Sequence, residues 1–215
     1  MSKPRVLLAD DHVLVREGFN KLLEEHCQVI GSVEDGRALL AAAEQLQPDI
    51  VISDISMPKL NGLDAARRLQ KMVPRPRIIF VTVHADQDYV TQAFKAGASA
   101  YLLKRSAGSE LLQAIDAVMN DNYYVTSLIA KDLVQAAIAD TASDTGGQDR
   151  LPIRQREILQ LVAEGLTLKE IASTLGLSPK TVEYHKSKLM EQLGLHTTAE
   201  LTKYALAHGL TSSSE

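Results

Sequence analysis

Up to about residue 120, short segments rich in Val, Ile and Leu alternate with longer segments of helical periodicity. The strand candidates are RVLLA, QVIGSV, IVIS, RIIFVTV and AYLL. The helix candidates are VLVREGFNKLLEEH, GRALLAAAEQLQ, GLDAARRLQKMV, DQDYVTQAFKAG and AGSELLQAIDAVMN. Five strands alternating with five helices predict an α/β doubly wound five-stranded parallel sheet. Ligands of such sheets bind outside the carboxyl ends of the strands.

The chain changes character after the last of these helices. Residues 123–139, YYVTSLIAKDLVQAAIA, predict one more helix. Residues 140–149, DTASDTGGQD, have the small, polar, Gly-containing composition of a flexible linker. We therefore predict a first domain over residues 1–122, a linker that is helical and then flexible over 123–149, and a second domain over 150–215.

The second domain has the start and stop signals of short helices. Its apolar-periodic segments are each followed by a glycine that suits the left-handed position after a helix. These glycines are Gly165, Gly176, Gly194 and Gly209. Two T-x-x-E capping boxes and one Ser-Pro pair mark helix starts. They are Thr167 with Glu170, Thr197 with Glu200, and Ser178 with Pro179. The prediction is a small all-α domain of four helices, with a tight turn between the second and the third.

Several protein classes are disfavoured. The longest wholly apolar run, IIFV at 78–81, is far shorter than the roughly 20 residues that a membrane helix needs. The apolar stretch of the opening MSKPRVLLADD is too short for a signal peptide, so we expect a cytoplasmic protein with no membrane partner. A lone cysteine, Cys27, excludes an internal disulfide and a cysteine zinc cluster, and its apolar neighbours favour a core thiol over a nucleophile.

Polar side chains collect at the carboxyl ends of the predicted strands. Asp10 and Asp11 end the first strand, and Asp54 ends the third, which this topology places beside the first. Thr82 ends the fourth strand, and Lys104 follows the fifth. Three carboxylates at one rim repel one another, and hard oxygen ligands of this kind suit Mg²⁺. We predict a magnesium-binding acidic site at this edge.

The set D-D, D, T and K, in this order and spacing, resembles the receiver domain of two-component response regulators, which has a flavodoxin-like fold. The resemblance covers residues 4 to about 120. It implies that Asp54 accepts a phosphoryl group from a sensor histidine kinase. It also implies that Asp11 and Asp54 bind Mg²⁺ together with the backbone carbonyl of Ser56, and that Asp10 acts through water.

Four further residues at this rim have expected roles. By the resemblance, Lys104 pairs with the phosphoryl oxygens, the Thr82 hydroxyl binds one of them, and Tyr101 occupies the aromatic switch position. His84 has no such support. We expect a rim residue that tunes the access of water rather than a catalytic base.

The stretch LTLKEIASTLGLSPKTVEYHKSKLMEQLGL at 166–195 predicts a helix-turn-helix. In the helix that begins at Ser178, the apolar face and a varied polar face lie on opposite sides. The apolar face holds Val182, Leu189 and Leu193, and the polar face holds Lys180, Tyr184, Ser187 and Glu191. Residues 150–215 carry eight basic and seven acidic groups, so charge alone does not predict DNA binding, and the prediction rests on this pattern.

Residues 151–209 resemble the LuxR-type output domain and, with the receiver, the NarL/FixJ class of response regulators. The resemblance assigns base-edge contacts to Glu183, Tyr184 and Ser187. It assigns positions at or near phosphates to Lys180, Thr181, Lys186 and Lys188. The domain departs from the family at LPIRQRE, where Pro152 replaces the capping residue and Gln155 the expected glutamate. Because proline has no side-chain oxygen for a cap, we expect an irregular or differently capped first helix.

The leading hypothesis is a phosphorylation-controlled transcription factor with at most slow self-dephosphorylation and no other enzymatic activity. One alternative is a phosphorylation-independent regulator with an idle receiver. Another is an Mg-dependent aspartate-nucleophile phosphatase, which is disfavoured because Ser56 stands where a D-x-D pair needs its second aspartate. A nucleotide-binding α/β enzyme is disfavoured because no glycine-rich phosphate loop follows the first strand.

Phosphorylation is expected to promote a homodimer on paired promoter half-sites, because linking two weakly charged output domains raises their effective concentration. The helix from Thr197 to His208 has two interpretations. By resemblance, Leu201, Tyr204 and Ala205 form a dimer contact. Alternatively, this fourth helix simply closes the core.

Overall fold

The computed structural model describes residues 3–130 and 151–211, which form two compact units. The first unit alternates strands and helices. Its strands are β1 (Arg5–Ala9), β2 (Gln28–Val33), β3 (Ile50–Ser53), β4 (Arg77–Thr82), β5 (Ala100–Leu103) and β6 (Tyr124–Val125). Its helices are α1 (Val13–Leu23), α2 (Gly36–Leu46), α3 (Gly62–Leu69), α4 (Gln87–Lys95) and α5 (Lys104–Met119).

The strands form one parallel sheet in the order β2-β1-β3-β4-β5-β6. The predicted doubly wound parallel sheet is therefore confirmed. Since β1 lies between β2 and β3, the winding direction reverses beside β1, and its carboxyl end opens into the crevice where such folds bind ligands. The pairing of Ala9 with Ser53 aligns the ends of β1 and β3, and the pairing of Thr82 with Leu103 aligns those of β4 and β5.

The sheet has a sixth strand that the sequence analysis assigned to a helix. The amide of Tyr124 donates to the Ser99 carbonyl at 3.1 Å, and that of Thr126 donates to the Tyr101 carbonyl at 2.9 Å. The aromatic and β-branched residues of this segment suit the open edge of β5. Helical structure begins only at 127–130; the rest of the predicted helix and the linker at 140–149 lie outside the described residues.

Both faces of the sheet are covered. Along each strand, alternate side chains point to opposite faces, and both sets are almost fully buried in β3 and β4. On one face, aliphatic side chains of β1, β3, β4 and β5 pack with those of α1 and α5 in a single core cluster. Cys27 is part of this cluster, and burial raises the pKa of its thiol, as predicted for a core cysteine.

The second unit contains four helices among its described residues: α6 (Ile153–Ala163), α7 (Leu168–Leu175), α8 (Pro179–Leu193) and α9 (Thr198–Ala207). They enclose a separate apolar core. Both predicted capping boxes are formed, at Thr167 and at Thr197. The Ser178 side chain caps α8, and the residue after each of α7 and α8 is a left-handed glycine.

The first helix of this unit lacks a side-chain cap at Pro152, as predicted. Its start is nevertheless regular, because the Pro152 carbonyl accepts from the amides of Gln155 and Arg156 at 2.9 and 3.1 Å. None of the helices in the described ranges combines the length and the hydropathy that a bilayer-spanning segment needs.

Candidate functional site

Three aspartates meet at the carboxyl ends of β1 and β3. Asp10 and Asp11 directly follow β1, and Asp54 directly follows β3. The amide of Asp54 donates to the Ala9 carbonyl at 2.8 Å, so the two strand ends are held side by side. Asp10 and Asp54 are only 3% and 4% exposed, which means that their charges need partners inside the protein.

Lys104 supplies that partner. Its Nζ lies 2.6 Å from Asp54 Oδ2 and 2.7 Å from Asp10 Oδ2. Because Lys104 is the first residue of α5, its position follows directly from the end of β5. The predicted juxtaposition of Asp10, Asp54 and Lys104 is therefore present in the fold.

The two buried partners differ in their titration. Burial raises the pKa of the Asp54 carboxyl, although Lys104 acts in the opposite direction. Burial alone would lower the pKa of Lys104, but the carboxylates of Asp54 and Asp10 more than compensate and raise it. The ammonium group of Lys104 therefore stays charged at neutral pH. Burial disfavours the ionised form of the Asp54 carboxyl unless a cation neutralises it.

Hydrogen-bond donors and a glycine fix the segment that carries Asp54. The amides of Ile55 and Ser56 lie 2.6 and 3.3 Å from Asp54 Oδ1. The Gly62 amide donates to the Ile55 carbonyl at 2.7 Å. A Cβ on Gly62 would lie 2.1 Å from the backbone oxygen of Asp54. This close approach was not predicted, because the only sequence signal of Gly62 is its place at the start of a helix.

The acidic cluster has a fourth member that the sequence analysis also missed. Nδ1 of His12 lies 3.0 Å from Asp10 Oδ1 and 2.8 Å from Asp11 Oδ1. One ligand atom from each of Asp10, Asp11, His12 and Asp54 lies within 4.8 Å of the others. Three carboxylates this close suit a hard divalent cation such as Mg²⁺. In the sequence, the indication of this fourth member is the histidine that directly follows the two aspartates in ADDH.

His84 connects several parts of the rim. Its Nε2 lies 2.9 Å from Ser56 Oγ, and its ring stacks on Tyr89 with centroids 4.1 Å apart. Its amide lies 3.4 Å from Thr82 Oγ1, and its carbonyl accepts from the Tyr101 hydroxyl at 2.9 Å. Burial lowers the pKa of His84, so its ring is neutral at neutral pH. The position of His84 at the rim was predicted, but nothing in the sequence indicated its Ser56 partner.

Helix α8 has the two faces that the sequence predicted. Val182 and Leu189 are fully buried, and Leu193 packs against the same core. The exposed side chains on the other side are Lys180, Glu183, Tyr184, Ser187, Lys188 and Glu191. Tyr184 is 60% exposed, although its ring lies edge-to-face with that of His185, with centroids 5.5 Å apart.

Four of the residues assigned to DNA already interact within this unit, among them Thr181, whose Oγ1 lies 2.8 Å from Ser178 Oγ. Nζ of Lys188 lies 6.0 Å from the centroid of the Tyr184 ring, within the range of a cation–π contact. Nζ of Lys186 donates to Thr198 Oγ1 at 2.9 Å. Thr181 and Lys186 are half-buried. Lys186 therefore ties α8 to the start of α9.

The fourth helix of this unit closes its core. Leu201 and Ala205 are fully buried, and Tyr204 is partly buried and stacks on His208 with centroids 3.9 Å apart. Of the two interpretations of this helix, core closure holds for Leu201 and Ala205, because their side chains have no surface left for a second copy.

Comparisons with known proteins agree with both halves of the chain. A model described as the response regulator receiver domain matches residues 6–116, and one described as bacterial regulatory proteins of the luxR family matches residues 149–205. The chain is 36% identical to the transcriptional regulatory protein MctR of Rhizobium johnstonii, over 98% of this chain and 96% of MctR. It is 34% identical to the oxygen regulatory protein NreC of Staphylococcus carnosus, over 94% and 96%.

A solved structure extends this likeness to three dimensions. RcsB from Salmonella enterica serovar Typhimurium, bound to promoter P1flhDC in the presence of phosphomimetic BeF₃⁻, is 27% identical, with a TM-score of 0.59. The match covers 94% of this chain and 98% of RcsB. With a receiver domain followed by a LuxR-type DNA-binding domain along nearly its whole length, the chain belongs to the NarL/FixJ class of response regulators.

Proposed function

We propose that the protein is a transcription regulator whose binding to promoter DNA is controlled by phosphorylation of Asp54. The observation that carries the proposal is the buried carboxylate pair of Asp10 and Asp54 with Lys104 Nζ 2.7 and 2.6 Å away. Such a site has a nucleophilic oxygen, a fixed cation and further carboxylates for a metal ion. These are the elements that phosphoryl transfer requires.

The donor is a phosphorylated histidine of a sensor kinase. An Asp54 carboxylate oxygen bonds to phosphorus, and the bond between phosphorus and the histidine nitrogen breaks, leaving its electron pair on that nitrogen. Asp11, Asp54 and the Ser56 carbonyl would hold Mg²⁺, with Asp10 acting through water. When bound, Mg²⁺ neutralises charge on the phosphoryl oxygens. The transfer is stoichiometric, so the chain acts as a phosphoacceptor with at most slow self-dephosphorylation.

The phosphorylated state differs from the resting state in its hydrogen bonds. Lys104 is already beside Asp54, and the phosphoryl oxygens offer it additional acceptors. The Thr82 hydroxyl would donate to one of these oxygens, and movement of Thr82 towards the phosphoryl group would change the 3.4 Å contact in which its oxygen accepts from the His84 amide. Because Tyr101 is bound to the carbonyl of His84 at 2.9 Å, this change reaches the aromatic switch residue. His84 also lies over Ser56 and so limits the access of water.

The second domain binds double-stranded promoter DNA through α8. Glu183, Tyr184 and Ser187 would contact base edges in the major groove, and their exposure supports this docking. Lys180, Thr181, Lys186 and Lys188 would lie at or near phosphates. Of these, Lys186 must first release Thr198, and so contributes less than the exposed Lys188.

Pairing of two copies is the proposed consequence of phosphorylation. Residues 150–215 carry only one net positive charge, so a single domain would attract DNA weakly. Two linked domains bind paired half-sites with a higher effective concentration. In this proposal the receiver comprises residues 1–122, the connection 123–149 and the DNA-binding domain 150–215.

The phosphoacceptor is tested by labelling. The wild-type chain, incubated with acetyl phosphate and Mg²⁺, should gain one acid-labile phosphate by intact mass, and Asp54→Asn should gain none. Asp49→Asn, just before the amino end of the same strand, is the matched control and should label normally. Labelling of Asp54→Asn at the wild-type level would refute the assignment of Asp54 as the phosphoacceptor.

The control of DNA binding is tested by mass and affinity. Light scattering gives the mass of the protein, with and without beryllofluoride and Mg²⁺. Under the same two conditions, the fluorescence anisotropy of a labelled duplex, selected from a random library, gives the affinity for DNA. The activated chain should form a dimer and bind more tightly. An identical mass and affinity in both conditions would leave a constitutive DNA-binding protein with an idle receiver.

A further inference from the structure

The sixth strand joins the receiver sheet to the first residues of the interdomain connection. Tyr124 and Val125 pair in parallel with Ala100 and Tyr101 of β5. Thr126, the next residue, is fully buried, and its amide donates to the Tyr101 carbonyl at 2.9 Å. Its own carbonyl accepts from the amides of residues 129 and 130 at 3.0 Å, where the helix of the connection begins.

A buried pair of hydroxyls makes a second link at the same point. Ser106 Oγ lies 2.9 Å from Thr126 Oγ1 and donates to the Leu103 carbonyl at 3.1 Å. A serine hydroxyl has one proton, and a carbonyl oxygen can only accept. Thr126 must therefore be the donor to Ser106, which gives a directed chain from Thr126 through Ser106 to Leu103.

This chain ends beside the phosphorylation site. Leu103 immediately precedes Lys104, whose Nζ lies 2.6 Å from Asp54, and Ser106 is in the first turn of the helix that Lys104 begins. A shift of Lys104 towards a phosphoryl group would move that turn. Both hydroxyls are buried, with Ser106 9% and Thr126 0% exposed, so neither can exchange its partner for bulk water at low cost.

We propose that Thr126 and Ser106 are positioning residues that carry the phosphorylation signal from Lys104 and Tyr101 to the start of the interdomain connection. The inference rests on the proposed function and adds the route by which the signal leaves the receiver. In this mechanism β6 fixes residues 127–130 to the edge of the sheet. A change in β5 and α5 then alters the start of the connection directly.

Thr126→Val tests the route because it keeps the branched shape and removes the hydroxyl. Ser106→Ala removes the other partner of the same bond, and the double variant avoids an unpaired buried hydroxyl. Ser109→Ala is the matched control: its hydroxyl donates its one proton to the Ser106 carbonyl at 3.0 Å, within the same helix. Thermal melts establish that each variant is folded.

The full-length chain is measured with and without beryllofluoride and Mg²⁺. Fluorine NMR gives site occupancy, amide hydrogen exchange reports on residues 124–130, and sedimentation gives the dimer dissociation constant. In the wild type and in Ser109→Ala, beryllofluoride should change exchange at 124–130. In Thr126→Val and the double variant, occupancy should persist and the exchange change should become smaller, because only the backbone bond from Thr126 to Tyr101 remains. The shift in dissociation constant should fall by about two- to tenfold, the range of one net hydrogen bond.

A full wild-type response in folded Thr126→Val and in the double variant would overturn the inference and leave the proposed function intact. Equal responses in Ser109→Ala and Thr126→Val would also overturn it. A wild-type chain that binds beryllofluoride without any change in mass or DNA affinity would contradict the proposed function itself, and the inference with it.

Discussion

Gly62→Ala should disrupt the phosphoacceptor segment although it adds only one methyl group. The new Cβ would lie 2.1 Å from the Asp54 backbone oxygen, whereas real Cβ atoms essentially never come closer than 3.0 Å to such an atom. The difference, 3.0 minus 2.1, requires a displacement of at least about 0.9 Å. The obstacle is backbone, so no side-chain rotation can relieve it.

Two opposing effects set the change in the free energy of unfolding. A Gly-to-Ala replacement at an ordinary backbone conformation stabilises a protein by about 0.4–1 kcal/mol through the unfolded state. Overpacking in a close-packed region costs about 1–3 kcal/mol. We therefore expect a net loss of about 1–2 kcal/mol. A misplacement of about 1 Å at a reacting group can also cost about 100-fold in rate.

The assay compares this variant with a second glycine replacement. Gly18 lies inside α1, and a Cβ there would meet nothing within 4 Å. Gly18→Ala should stabilise the protein by about 0.5–1 kcal/mol, the opposite sign. Urea unfolding gives both free energies, and the rate of labelling by acetyl phosphate gives the effect on Asp54. If Gly62→Ala is as stable as Gly18→Ala, or labels at the wild-type rate, the reasoning from close contact is wrong.

Three further predictions concern charge and DNA. Burial raises the pKa of folded Asp54 above its unfolded value, so its contribution to stability is present at acid pH and is lost as pH rises through the folded pKa. In EDTA, Asp54→Asn should therefore be more stable than wild type at pH 7, and the difference should shrink on acidification; a constant difference in urea unfolding would contradict this. Lys188→Ala should weaken binding to all duplexes alike and reduce the salt slope by about 1, whereas exposed Lys203→Ala on α9 should leave the slope unchanged. The double variant Tyr184→Ala, Ser187→Ala should relax preference at particular base pairs by about 1–3 kcal/mol, and an unaltered sequence preference in a selection experiment would count against the docking pose.

The order of elements and the acidic site could be predicted from the sequence because each depends on local pattern. Asp10, Asp54 and Lys104 stand next to strand-forming runs, and the ends of parallel strands must meet at one edge. The faces of α8 followed in the same way from helical periodicity. Capping residues at Thr167 and Thr197 marked helix starts because the bonds they make span only three residues.

Other features depend on which distant segments come together. Tyr124 and Val125 became a strand because the edge of β5 was open to pairing, and local sequence could not show that edge. Gly62 packs closely against the Asp54 backbone, and His84 contacts Ser56. No periodicity of the sequence relates the residues of either pair.

The sequence by itself determined the fold class, the strand ends that bear the acidic site and the polar face of α8, because these follow from short-range pattern and the fixed geometry of helices and strands. Only the tertiary structure decided that Leu201 and Ala205 belong to the core and that Thr126 is bonded to Ser106. The physical reason is that burial and hydrogen-bond partners are properties of the packed chain, in which residues far apart in sequence compete for the same space.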